Sequence, residues 1–259
     1  MLGVVICAVA APLLAPHDPT LIDVSESKFP PGKTWTFPLG TDLLGRDILS
    51  RLIYGARTAV SVIVVALGSG AVVGSALGLL AGYAGGFVDS AIMRVTDAVL
   101  GFPTVLVAMV LVVIIGPGTA NIMLAVALTV WPTFARMVRG ETLSLAQMDY
   151  VTLARVAGVP AALIIWRHIL PNLVSTLAVL VSLRIGQVVL LEASLSFLGL
   201  GLPPGSPAWG IMVAEGRQYV VSMWWLAVLP GLLITAVVLA CNLLGDWMRD
   251  ALDPKLRTI

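Results

Sequence analysis

Long uncharged runs separated by short polar interruptions set the pattern of this chain. Residues 59–81, 98–116, 119–135 and 223–245 carry no charged side chain, and another apolar run opens near Leu173. Each approaches the ~20 apolar residues that a helix needs to cross a bilayer. Residues 1–15 are also apolar but shorter, and no basic residue precedes them, which argues against a secretory signal. The pattern predicts an all-α, polytopic membrane protein with five full spans and a clipped first one, six in all. The chain is therefore expected to start inside its first transmembrane helix.

Between the first two runs, residues 16–57 are polar, with prolines at 16, 19, 30, 31 and 38. Gly40-Thr41-Asp42 reads as a turn with a helix cap. After it Leu44, Ile48, Leu49, Leu52 and Ile53 recur at helical spacing, while Arg46, Asp47, Ser50 and Arg51 fall largely elsewhere. That predicts an amphipathic helix lying at the interface, so residues 1–57 read as one region and 58–259 as the transmembrane body. Gly70, Gly74, Gly78, Gly82 and Gly86 stand four apart, a ridge without side chains that suits close packing against another span, of this chain or of a partner. Residues 82–97 read as a short polar connection with Asp89, Arg94 and Asp97, and Pro103 as a kink in the following span.

The stretch 149–172 is an island of polarity 24 residues long, with Asp149, Arg155, Arg167 and His168. It reads as two short helices broken at Gly158-Val159-Pro160, with Pro171 marking the turn into the next long segment. That next segment carries Arg184, Gln187 and Glu192, strongly polar residues at membrane depth. A charge at mid-span costs roughly 2.5–3.5 kcal/mol on insertion scales, so these three line either a translocation path or a subunit seam, unless they snorkel to the interfaces. Residues 202–222 form a Pro/Gly-rich loop with a short central helix, Trp224-Trp225 an interfacial anchor, and 246–259 a polar tail.

Composition agrees: 59% of the 259 residues are hydrophobic and 11% charged, against about a quarter charged in soluble domains. A net charge of +1 gives no bulk attraction to nucleic acid. Cys7 and Cys241 read as buried thiols, and neither they nor His17 and His168 have metal-ligand spacing. Gly32-Lys33-Thr34 is not a phosphate loop, because Ser27 stands where the earlier glycine is required. Alternating spans from a cytoplasmic start places 82–97, 136–172 and 246–259 inside. Those segments hold eight Lys/Arg against six outside, five of the six lying before the second span.

Three stretches resemble one family. Gly158, nine residues, then His168-Ile169-Leu170-Pro171 is similar to the cytoplasmic coupling loop of ABC-importer permeases, with Thr152-Leu153-Ala154 where Glu-Ala-Ala is usual. Residues 37–57 and 190–201 resemble the LGTDxLGRDxxSRxxYGAR and EASLSFLGLG signatures of the "C" permease of dipeptide and oligopeptide importers. The resemblance implies that 136–172 is a cytoplasmic loop. In it Asp149, Thr152, Ala154, Arg155, Gly158, Val159, Pro160, His168 and Pro171 would engage a partner ATPase. It implies a homologous "B" permease, two ATPase subunits holding ATP and magnesium, and an external binding protein. The setting is a bacterial or archaeal plasma membrane, with the C-terminus cytoplasmic. The chain itself is then not an enzyme and binds no cofactor. Nickel, opine and glutathione importers share these signatures. A self-sufficient secondary transporter is disfavoured by the lack of an internal repeat, and a membrane enzyme by the lack of a catalytic constellation at one depth.

Overall fold

The structure is a computed structural model that describes residues 2–252. The end of the polar tail, with Lys255, Arg257 and the C-terminus placed in the cytoplasm above, lies outside the described residues. The fold is helical. Helices α1 (Leu2–Val9) and α2 (Ala11–Leu14) precede a polar segment, and α3 (Ile48–Val62) passes through a π-helical turn, Ile63–Leu67, into α4 (Gly68–Ala84). Then come α5 (Gly86–Leu100), α6 (Thr104–Ile115) and α7 (Thr119–Ala146). A hairpin of α8 (Asp149–Val156) and α9 (Ala161–Ile164) leads through a second π turn, Ile165–Ile169, into α10 (Leu170–Phe197). The chain closes with α11 (Trp209–Gly216), the short helix expected in the 202–222 loop, and α12 (Trp225–Leu252).

Among the described residues four continuous helices are long and apolar enough to span a membrane: 48–84, 119–146, 161–197 and 225–251. A fifth candidate, α5 with α6, is bent by 93°. This corrects one reading: residues 86–97 of the expected polar connection are helical, as part of α5. The kink expected at Pro103 is a break at Gly101–Pro103, where Pro103 caps α6. Proline has no N–H and disfavours a helical residue before it, so the apolar run continues through the break while the helix does not.

Four of the five spaced glycines form the central seam. A Cβ on Gly74 would stand 2.3 Å from the Trp131 carbonyl oxygen, and one on Gly78 2.5 Å from that of Ala135. Gly70 meets Val130 and Gly82 meets Thr142 in the same way. The ridge thus packs on α7 of the same chain, with backbone against backbone. Gly86 is not part of it: it lies beyond the end of α4 with φ +55°, and a Cβ there would touch nothing.

The polar segment before α3 is pinned to α11 by a charge cluster. Asp42 Oδ2 accepts from Arg46 Nε and Arg51 Nη1, both at 2.6 Å, and Glu215 Oε2 accepts from Arg51 Nη1 at 2.8 Å and Arg46 Nη2 at 3.1 Å. Arg51 is 1% exposed. So Arg46 and Arg51 do not form a polar outer face, as the helical spacing suggested; they hold the 42–46 turn and the start of α3 against α11. The cap differs too. Asp47, not Thr41 or Asp42, accepts from the amides of Leu49 and Ser50 and starts α3. The helix then runs unbroken across position 57, so the polar segment before it ends at Asp47. Trp209 and Trp225 complete the clasp, their indole N–H groups donating to the carbonyls of Leu52 and Thr41.

Two outcomes test this packing. Gly74→Leu is expected to destabilise the protein by at least the ~1–3 kcal/mol of ordinary overpacking, since a backbone carbonyl cannot yield. Gly68→Ala, a helical site facing open space, should be neutral in the same thermal-unfolding measurement in nanodiscs. Arg51→Met removes one member of a buried ion cluster and should cost about 3–5 kcal/mol. Glu215→Gln, at a half-exposed position, should cost less than half of that in the same assay.

Candidate functional site

The ends of α7 and α10 are joined by the hairpin, and its local chemistry explains its shape. Asp149 in the first turn of α8 and Arg155 in the last complement the helix dipole. Gly158, at φ +76°, ends the helix. Its N–H donates to Arg155 O and that of Val159 to Ala154 O, both at 3.1 Å, a Schellman arrangement that satisfies the last carbonyls. Pro160 then starts α9 in an extended conformation. The expected break at Gly158-Val159-Pro160 is thus where the chain turns.

Pro171 behaves differently from its expected role. Helix continues from Ala161 to Phe197 without a turn at Pro171. The π turn just before it absorbs the amide that proline lacks, and the Asn172 side chain donates to His168 O at 2.6 Å. The hairpin's second arm and the membrane helix are one 37-residue rod.

The hairpin has two faces. Val151, Ile164, Ile169 and Leu173 are buried against Val138 of α7, with Ala154 and Val159 partly buried beside them. The Arg155 guanidinium lies 5.2 Å over the Tyr83 ring at the end of α4, and the Tyr150 and His168 rings are 6.1 Å apart. The opposite face is apolar and open: Leu153, Val156 and Trp166 are 68%, 81% and 72% exposed. Asp149, Thr152, Arg155, Gly158, Pro160 and Pro171 are exposed as well, and His168 is half-buried. Leu153, Val156 and Trp166 were missed in the sequence because an apolar residue on a short helix reads as core; which ones lack a neighbour becomes visible only in the folded chain.

At membrane depth the three polar residues of α10 separate. Arg184 Nη1 donates to Gln187 Oε1, one turn on. Glu192 is buried away from them and accepts from Ser196 Oγ at 2.7 Å. Two cavities lie between α7 and α10. One, of about 650 Å³, is lined by Thr133, Gly140, Glu141 and Arg184 among others. A second, of about 240 Å³, is lined by Thr104, Thr129, Gln187 and Ser194, and also by Thr133 and Arg184. Other charges on α7 are paired: Arg139 grips Asp89 of α5 through two hydrogen bonds, and Arg136 Nη2 meets Asp97 at 2.5 Å.

Residues 74–258 match the family described as binding-protein-dependent transport system inner membrane component. The glutathione transport system permease protein GsiD of Pectobacterium atrosepticum is 48% identical over 220 residues, 85% of this chain and 73% of its own. The di/tripeptide transport system permease protein DppC of Pseudomonas aeruginosa is 41% identical over 261 residues, 99% of this chain and 86% of its own. The dipeptide permease DppC of Haemophilus influenzae is 40% identical over 261 residues, 99% and 88% of the two chains. With its bundle of apolar helices and a stiff hairpin between two of them, the chain belongs to the binding-protein-dependent inner-membrane transport components, as a multi-pass membrane permease.

Proposed function

We propose that this chain is the "C"-type permease subunit of an ATP-driven importer of short peptides, and that the α8–α9 hairpin is its contact with a partner ATPase. The observation that carries this reading is the hairpin's open apolar face, Leu153, Val156 and Trp166, on an element whose other face is anchored to α7. Tryptophan is among the residue types most enriched at interface hot spots, and the exposed Leu153 and Val156 add apolar surface on the same element. The peptide class is supported by the di/tripeptide and dipeptide permeases that the chain matches over nearly its whole length. The similarity to a glutathione permease favours glutathione, itself a small peptide, as the second reading.

In this reading a homologous "B" permease completes the path, two ATPase subunits bind ATP and magnesium, and an external binding protein delivers cargo. The hairpin and the C-terminus face the cytoplasm. Closure of the ATPases displaces the hairpin, and the 37-residue rod that begins in it carries the displacement to Arg184 and Gln187. A helix of that length is ~55 Å long at ~1.5 Å per residue. Coupling is a two-state equilibrium of the bundle biased through that rod.

Leu153→Asp with Trp166→Asp is expected to abolish co-purification of the ATPase subunits and binding-protein-dependent uptake in proteoliposomes, while insertion and thermal stability stay unchanged. ATPase retained at the wild-type level would remove the hairpin from this role. Gly158→Val forces a β-branched residue to positive φ, with no neighbour to clash. The left-handed conformation costs ~1–2 kcal/mol for a residue with a Cβ, so the hairpin should lose its fixed angle. ATP hydrolysis should persist while uptake per ATP falls, measured in the same vesicles.

A further inference from the structure

Two side chains that border the larger cavity carry charges with no ionic partner. Arg184 donates to the neutral Gln187, and among the described residues no carboxylate lies within salt-bridge distance of it. Glu141, half-buried on α7, makes no ion pair or side-chain hydrogen bond among the described residues. Every other charge on α7 and α10 that the structure brings to a neighbour is satisfied. Arg139 and Arg136 are held by Asp89 and Asp97, and Glu192 accepts from Ser196. A charged group at membrane depth, as Arg184 is, is normally paired or faces a water-filled path.

Their placement is specific. Arg184 and Thr133 border both cavities, so Arg184 stands where the smaller meets the larger. Glu141 borders only the larger one, and it lies near the hairpin end of α7. Between them Gly140 leaves the wall open, since a Cβ built there would touch nothing. Hydroxyls of Thr104, Thr129 and Ser194 line the approach.

We propose that the groove between α7 and α10 takes a dipolar cargo, Arg184 receiving its carboxylate and Glu141 its ammonium group. A guanidinium offers several N–H donors to a carboxylate in a planar fork, and Gln187 holds it in place from one side. A carboxylate oxygen of Glu141 accepts from an ammonium. The inference rests on the permease reading and specifies what passes through it: a small molecule with a positive and a negative end, such as a peptide with free termini.

The test uses the complete complex, both permeases with both ATPases, in nanodiscs without the binding protein. Saturation-transfer NMR is recorded with Ala-Ala, with its C-terminal amide and with N-acetyl-Ala-Ala. Wild type should favour Ala-Ala over either blocked form by roughly tenfold, the worth of one charge-assisted hydrogen bond. Arg184→Gln should erase the preference over the amide only, and Glu141→Gln that over the acetylated form only. Gly140→Leu keeps both charges and should lower binding of all three. Equal binding of all three by wild type, or unchanged preferences in the two charge variants, would overturn the proposal. So would loss of the partner permease from the Arg184→Gln complex, which would make Arg184 half of a seam ion pair. Failure of the permease reading is separate: wild-type vesicles would then show no binding-protein-dependent, ATP-driven uptake.

Discussion

One face of α4 has no side chains, and the position of α7 depends on it. Gly70, Gly74, Gly78 and Gly82 let the two backbones approach until carbonyls stand where Cβ atoms would be. In lipid there is little hydrophobic gain in bringing helices together, so such contact relies on dispersion over a smooth surface. Helix α7 has three further duties. Its side chains bind α5 through Arg136 and Arg139, its far end begins the hairpin, and its remaining face borders the cavities. A shift of α7 by one side-chain width would disturb all three.

Against that fixed helix, α10 is the element suited to carry motion. It is continuous with the hairpin's second arm, so no hinge dissipates a displacement between Ala161 and Arg184. The two π turns, 63–67 and 165–169, are where these long helices depart from regular geometry, and a π turn is a local change of register that a helix tolerates without breaking. The second lies at the base of α10 beside Pro171, where it accommodates the missing amide without interrupting the helix.

Much of this was legible in the sequence, and the losses have identifiable physical causes. The uncharged runs located the helices, and Gly158 followed by Pro160 located the hairpin turn, because a left-handed glycine and a helix-starting proline act within a few residues. Pro103 located the kink, but its size did not show: the polar residues Asp89, Arg94 and Asp97 read as a connection, although they lie on a helix, α5, set at 93° to α6. Nor did hydropathy show that the amphipathic helix and the span after it are one rod, because Arg46, Asp47, Ser50 and Arg51 read as a polar face at the interface. Arg51 is instead buried, its partners being Asp42, nine residues back, and Glu215, 164 residues on. Long-range ion partners leave no local pattern. Glu141 was overlooked for a related reason: a glutamate near a helix end reads as a solvated charge, and its significance comes from facing Arg184 across a cavity built by tertiary packing.

The charges of this protein divide by whether the chain satisfies them itself. Asp42, Arg46, Arg51 and Glu215 cancel within one cluster and cost the fold little beyond their own desolvation, so they serve as a fastener. Asp89 with Arg139 and Asp97 with Arg136 do the same for α5 and α7. A fastener has no reason to remain incomplete, because an unpaired charge at depth raises the free energy of every state that contains it. Arg184 keeps that penalty, and it shares a cavity with Glu141, unpaired among the described residues, the two standing on the helices that the hairpin connects. A charge left unsatisfied in the resting chain can be satisfied by what enters the groove, and the gain is then available to bias the helices toward the arrangement that holds the cargo. Structural charge and working charge are thus told apart by ionic pairing, not by burial: Arg51 is the more deeply buried arginine, it leaves Nε and Nη2 without a partner among the described residues, and its two ion pairs still hold the fold together.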